Sequence, residues 1–156
     1  MNSGTILVMR HAEKAGDPLN PDLSPEGHGR AKRLATYIPD TFGKPDFLFA
    51  TANSKHSHRP HQTLKPLAER LGLPINMDFA DQDYGTLAHQ VLQDPKYEAR
   101  RIVVCWHHGN IPSLAHALKV VPGDYPDPWK SSVFNLILQF DFVEGAIQAR
   151  SVTEPF

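Results

Sequence analysis

The sequence predicts one three-layer α/β/α domain with a mainly parallel central sheet. Three observations predict it. Short apolar runs alternate with segments of helical spacing, the runs at 5–9 and Arg101–Trp106 have the pattern of buried strands, and no repeat, low-complexity tract or linker divides residues 1–156. A chain of this length is large enough to bury a substantial core.

The first strand, residues 5–9, ends directly in Arg10 and His11. A polar loop bearing Pro and Gly occupies 15–23. Ser24-Pro25-Glu26 then reads as a helix start: a serine cap, a proline where a missing N–H costs nothing, and an acid near the positive end of the helix dipole. Gly27, Ala31, Leu34, Ala35 and Ile38 recur at helical spacing, and the small residues among them let this helix lie close to the sheet. Phe47–Ala50 is the second strand and 51–59 a loop. Pro60 opens a second helix with Leu64, Leu67, Ala68 and Leu71 as its stripe; Pro66 predicts a kink and Gly72 a stop. Alternation over 75–79 predicts a third strand, and Leu87, Ala88, Val91 and Leu92 a third helix ending near Asp94-Pro95. Arg101–Trp106 is the fourth strand, with Cys105 inside it as a buried small hydrophobe. A helix carrying Leu114, Ala115 and Leu118 begins at Gly109 or Asn110. Prolines 122, 126 and 128 make 121–130 a loop, and 133–140 with 146–152, joined through Glu144-Gly145, predict a closing antiparallel hairpin.

Sixteen Lys and Arg against 17 Asp and Glu leave a net charge of −1, which excludes a general binder of nucleic acid or anionic membrane. A single cysteine excludes an internal disulfide framework. No apolar stretch approaches the ~18 residues of a membrane span, and no targeting segment is evident, so a cytoplasmic location is expected. Nine histidines are the compositional oddity. His56, His58 and His61 crowd one loop and His107-His108 form a pair, so metal binding is the competing class. Against it stand the lack of a His-Glu-x-x-His helix or Cys pairs, and the cation Arg59 within the cluster.

Charged or nucleophilic residues follow three strands: Arg10-His11, Arg59 and His107-His108. Right-handed crossovers between parallel strands bring these three loops to one edge of the sheet, where open α/β sheets bind ligands. Two guanidiniums and at least two imidazoles meeting there repel one another unless an anion sits among them, which points to phosphate or sulfate. An imidazole that attacks phosphorus needs one ring nitrogen unprotonated, and a leaving oxygen of high pKa needs an acid.

The pieces Arg10-His11-Ala12-Glu13-Lys14, Leu23-Ser24-Pro25-Glu26-Gly27, Arg30-Ala31, Ser57-His58-Arg59 with Gln62-Thr63, and Trp106-His107-His108-Gly109-Asn110-Ile111-Pro112 stand in the order found in the histidine phosphatase, or phosphoglycerate-mutase-like, superfamily. The chain resembles the compact bacterial phosphatases of that superfamily more than its larger mutases. The resemblance implies a hydrolase needing neither metal nor cofactor, acting on phosphomonoesters or phosphoamides of small molecules or phosphoproteins. It implies that His11 is the nucleophile forming a phosphohistidine, that Arg10 and Arg59 clamp the phosphate, and that His108, followed by Gly as in the family, is the second pocket histidine. His107 would stand behind it. The family's glutamate after the third strand is missing: 79–85 offers Asp83 as the nominee for proton donor and Asp81 as the alternate, with solvent as the remaining source. Arg30 and Trp129 are candidate substrate contacts, with solvation and packing as their alternatives. A domain that binds phosphate without turning it over is the alternative function, and oligomeric state is left open.

Overall fold

The computed structural model describes residues 1–156 and places strand β1 (Gly4–Arg10) at the centre of a six-stranded sheet. Successive side chains of a strand point to opposite faces, and in β1 both faces are dry. Ile6 and Val8 enter one apolar cluster, Leu7 and Met9 another, and all four are at most 1% exposed. Each such fully buried side chain contributes about 1.5–3 kcal/mol.

The remaining elements follow in alternation: α1 (Pro25–Phe42), β2 (Phe47–Ala50), α2 (Arg59–Leu71), β3 (Ile75–Asn76), α3 (Tyr84–Gln93), β4 (Arg101–Trp106), α4 (Ile111–Ala117), β5 (Leu136–Val143) and β6 (Ala146–Thr153). Helices α1 and α2 cover the face carrying Leu7, Met9, Val103 and Cys105. Helices α3 and α4 cover the face carrying Ile6, Val8, Ile102 and Trp106. The three layers are therefore present. The strand order is β3-β2-β4-β1-β5-β6; the pairs through β3, β2, β4 and β1 are parallel, and β5 and β6 close the sheet antiparallel. The carboxyl ends of β1, β2 and β4 consequently share one edge.

Three expected boundaries move, each for a local reason. The third strand keeps only Ile75–Asn76, because the Asp78 N–H turns back to the Asn76 side-chain oxygen at 2.9 Å and the Phe79 carbonyl accepts from Ala52 N–H at 2.8 Å. The hairpin begins at Leu136 rather than 133, because the Val133 carbonyl is taken by Arg10 and by the Trp129 indole. The last helix begins at Ile111, after a 3-10 turn at His108–Asn110. Helix α2 accommodates Pro66 and runs on to Gly72, whose left-handed φ of 66° ends it as expected.

The start of α1 fixes the loop that follows β1. Ser24 Oγ accepts from Gly27 N–H at 3.0 Å and donates to the Glu13 carbonyl at 3.2 Å, and Ser24 N–H donates to the same carbonyl at 3.0 Å. Helix and loop meet so closely that a Cβ on Gly27 would lie 2.2 Å from Glu13 O, whereas one on Gly29 would meet nothing within 4 Å. The two glycines should therefore respond oppositely to alanine. Gly27→Ala is expected to cost about 2–3 kcal/mol and lower Tm by roughly 5–10 °C, while Gly29→Ala should raise stability by about 0.5–1 kcal/mol through helix propensity; thermal unfolding of both variants checks the pair.

Candidate active site

Strand β1 ends in Arg10 and His11, which are 3% and 2% exposed. His11 N–H donates to the Trp106 carbonyl at 3.2 Å, carrying the parallel ladder one residue past β4. The imidazole Nδ1 lies 2.7 Å from the Ala12 carbonyl oxygen. A carbonyl only accepts, so Nδ1 carries the proton and the Nε2 lone pair is free. Burial, followed by the nearby charge of Arg10, His107 and Arg59, outweighs that hydrogen bond and pushes the His11 pKa down to about 3. The ring is neutral wherever the protein would work.

Arg10 is held from behind. Its Nη1 donates to the carbonyls of Ser131 at 2.6 Å and Val133 at 3.3 Å, and the guanidinium carbon sits 3.8 Å from the centroid of the Phe134 ring. Arg59, the first residue of α2, donates through Nη1 to the Asn20 carbonyl at 3.1 Å. Neither guanidinium has an ion-pair partner, and the Nε of each is buried without a hydrogen bond. Burial and the proximity of Arg59 lower the pKa of Arg10 to about 10. Two desolvated cations with unspent donors make a site for an anion with several oxygens.

The imidazole set against His11 is His107, not His108. Its ring centroid is 5.4 Å away with the planes at 69°. The register explains this placement: Arg10 pairs with Trp106, so the next residues, 11 and 107, leave the sheet side by side. His108 opens the 3-10 turn, half-buried, where Arg10 and Lys14 supply positive charge. Burial first, then neighbouring cations, lowers the pKa of both rings, and Asp81 opposes this for both.

The two candidate acids are placed differently. Asp83 is exposed, and its Oδ2 accepts from Ala80 N–H at 3.3 Å, closing its own turn. Asp81 is drawn to the end of β4. The Trp106 indole donates to its carbonyl at 3.0 Å and the Asn110 amide to its Oδ2 at 3.0 Å, leaving Oδ1 buried without a partner.

Neither outer candidate reaches the cluster. Arg30 is consumed by both oxygens of Glu13, by Glu154 Oε1 at 2.9 Å and by the Phe156 carbonyl. Trp129 is 4% exposed in the apolar core, its indole spent on the Val133 carbonyl. The histidine-rich loop does not converge either: His56 is exposed, His58 faces Asp22 at 3.2 Å, and no three His, Cys, Asp or Glu side chains are grouped to hold a metal ion. Phe134 is the contact that sequence reasoning missed; as one apolar residue in a predicted strand it carried no distinguishing signal.

No protein-family model matches the sequence, and no curated protein matches it. Solved structures do match. A protein histidine phosphatase SixA complexed with tungstate is 17% identical with TM-score 0.65, covering 96% of each chain. The fold is that of the histidine phosphatase superfamily. An Escherichia coli K-12 protein described as a candidate alpha-ribazole-5'-P phosphatase shares this histidine phosphatase fold at TM-score 0.71 and 13% identity, over 98% of this chain and 97% of its own. A phosphoglycerate mutase from Plasmodium falciparum matches at TM-score 0.64 and 15% identity, over 96% of this chain and 90% of its own. No helix here is long and apolar enough to cross a membrane.

Two predictions follow from the electrostatics of the cluster. A tetrahedral oxyanion relieves the repulsion between Arg10 and Arg59, so tungstate or phosphate at about 100 times its Kd should stabilise the wild type by about 2.7 kcal/mol, a rise of roughly 5–10 °C in Tm, and the rise should shrink in Arg59→Ala. The second concerns acid. His11 stays neutral to about pH 3 when folded but titrates near 6.5 when released, so the unfolded chain binds more protons over that window. Stability should therefore fall as pH drops from 6.5 toward 3. Thermal unfolding of His11→Asn, set against wild type, should show a flatter slope and so separate this effect from Glu154, whose carboxyl, pushed up to about 7 by burial, works in the opposite direction.

Proposed function

We propose that residues 1–156 act as one domain of the histidine phosphatase type, hydrolysing phosphomonoesters or phosphoamides through a phosphohistidine on His11. The observation that carries this reading is a buried neutral imidazole, its Nε2 unoccupied, beside two guanidiniums with unspent donors. Phosphoryl transfer consists largely of positioning and of neutralising the equatorial oxygens, and Arg10 and Arg59 supply both without help from a metal.

In the first step the Nε2 lone pair attacks phosphorus in line. The bond from phosphorus to the leaving oxygen or nitrogen breaks, and the leaving group takes its electron pair and a proton from the Asp81 carboxyl. In the second, water attacks the phosphohistidine, Asp81 recovers a proton from that water, the P–N bond breaks and the imidazole returns neutral. His107 contributes the second imidazole to the phosphoryl pocket and His108 lies at its rim. Asp81 is assigned over Asp83 because its free oxygen is buried near the histidines while Asp83 is spent on its own turn. The substrate is a phosphorylated small molecule or a phosphoprotein. The free, buried thiol of Cys105 supports a cytoplasmic setting.

Hydrolysis of p-nitrophenyl phosphate by wild type and His11→Ala tests the reading, with loss of at least about a thousandfold expected for the variant. Equal rates would leave only a phosphate-binding domain. Asp81→Asn should slow alkyl phosphates, whose leaving oxygens need a proton, by about 10²–10⁴ while sparing p-nitrophenyl phosphate, and Asp83→Asn should change neither.

A further inference from the structure

We propose that Thr63 is a positioning residue that sets the His11 imidazole against the Arg59 guanidinium, and through that spacing governs how tightly the site holds a phosphoryl group. The inference rests on the reading above for its chemistry but on separate contacts for its argument. Thr63 is fully buried, one helical turn beyond Arg59 in α2. Its hydroxyl donates to the Arg59 carbonyl at 2.8 Å and accepts from Ala12 N–H at 2.9 Å. The Ala12 carbonyl in turn holds His11 Nδ1 at 2.7 Å. Three hydrogen bonds thus run unbroken from the nucleophile's ring, through the residue after it, to the first residue of α2.

A threonine in a helix often bonds back to the carbonyl four residues before it, and that bond alone would be unremarkable. The bond from Ala12 is different. It comes from the loop after β1, from an alanine with no exposed surface, and its acceptor lies on another element. His58 gives α2 no side-chain cap, and from its own N-terminal side the helix is held only through Arg59 N–H, which donates to Ser57 Oγ at 3.2 Å. The neighbouring Gln62 ties α2 to the far end of the same loop, accepting from Leu23 N–H at 2.9 Å and donating to Asp22 at 2.8 Å. Thr63 is the side chain of α2 that bonds the residue directly after His11. Its single hydroxyl serves as donor to one side of the site and acceptor to the other, and a valine of the same shape can do neither.

The experiment is binding of inorganic phosphate by calorimetry, with kcat and KM on p-nitrophenyl phosphate, for Thr63→Val, Thr63→Ser, Arg59→Ala and the double variant Arg59→Ala/Thr63→Val. Thr63→Val is expected to bind phosphate about tenfold more weakly and to lose at least that factor in kcat/KM, as small misplacements of reacting groups do. Thr63→Ser, which keeps both bonds, should restore both to near wild type. In the absence of the Arg59 guanidinium there is nothing left to align, so the double variant should bind no more weakly than Arg59→Ala. Unchanged phosphate affinity in Thr63→Val, failure of serine to rescue, or losses that multiply in the double variant would each overturn the proposal. Thr63→Ala removes the same two bonds with a smaller side chain and stands in if the valine variant does not fold. Unfolding of both would overturn it too, since Thr63 would then be part of the framework. Phosphate binding that follows this pattern in a wild type without turnover would retain the Thr63 assignment and remove the enzymatic one.

Discussion

A buried guanidinium, Arg10, and a half-buried one, Arg59, stand beside a neutral ring, and neither has an ion-pair partner. Desolvating a cation costs several kcal/mol unless something compensates, so the surrounding structure must be rigid enough to impose the arrangement. The compensation visible around Arg10 is a pair of backbone carbonyls and an aromatic face; around Arg59 it is one carbonyl. Glu13 and Asp22 act on them only at a distance, with no carboxylate bonded to either, and donors remain for a ligand. Acidic residues nearby are used elsewhere: Glu13 and Glu154 surround Arg30, while Asp81 is turned toward the imidazoles by Trp106 and Asn110.

Rigidity comes from the sheet. β1 and β4 are its two central strands, paired residue for residue from Thr5 with Arg101 to Arg10 with Trp106, and their side chains fill both apolar clusters. His11 and His107 occupy the first positions beyond this ladder, and Arg10 its last rung. They inherit its precision while their side chains are free of its packing, which is why an open α/β sheet places ligands at the carboxyl ends of its strands. α1 braces the arrangement from outside through the close approach of Gly27 to Glu13.

Much of this was legible in the residues themselves. The alternation of elements, the capped start of α1 at Ser24-Pro25, the stop of α2 at Gly72 and strands β2 and β4 all follow from local chemistry, and the meeting of Arg10, His11 and Arg59 follows from parallel topology. What escaped was set by contacts between segments far apart in the chain. Choosing between His107 and His108 needs the register of β1 on β4, which motif order does not encode. Knowing that Asp81 rather than Asp83 packs at the end of β4 needs the indole of Trp106, 25 positions away. Arg30 looked free on an exposed helical turn because its partner Glu154 lies 124 positions downstream. Phe134 reads as an ordinary strand residue until Arg10 claims the carbonyl of Val133 and draws that stretch out of the sheet.

That carbonyl has a broader meaning. The oxygen of Val133 receives both the guanidinium of Arg10 and the indole of Trp129, so the tilt of a recognition side chain is tied mechanically to how the proline-rich stretch beneath it settles. Substitutions in that stretch, remote from His11, would move the carbonyl on which the guanidinium rests and so turn the arginine.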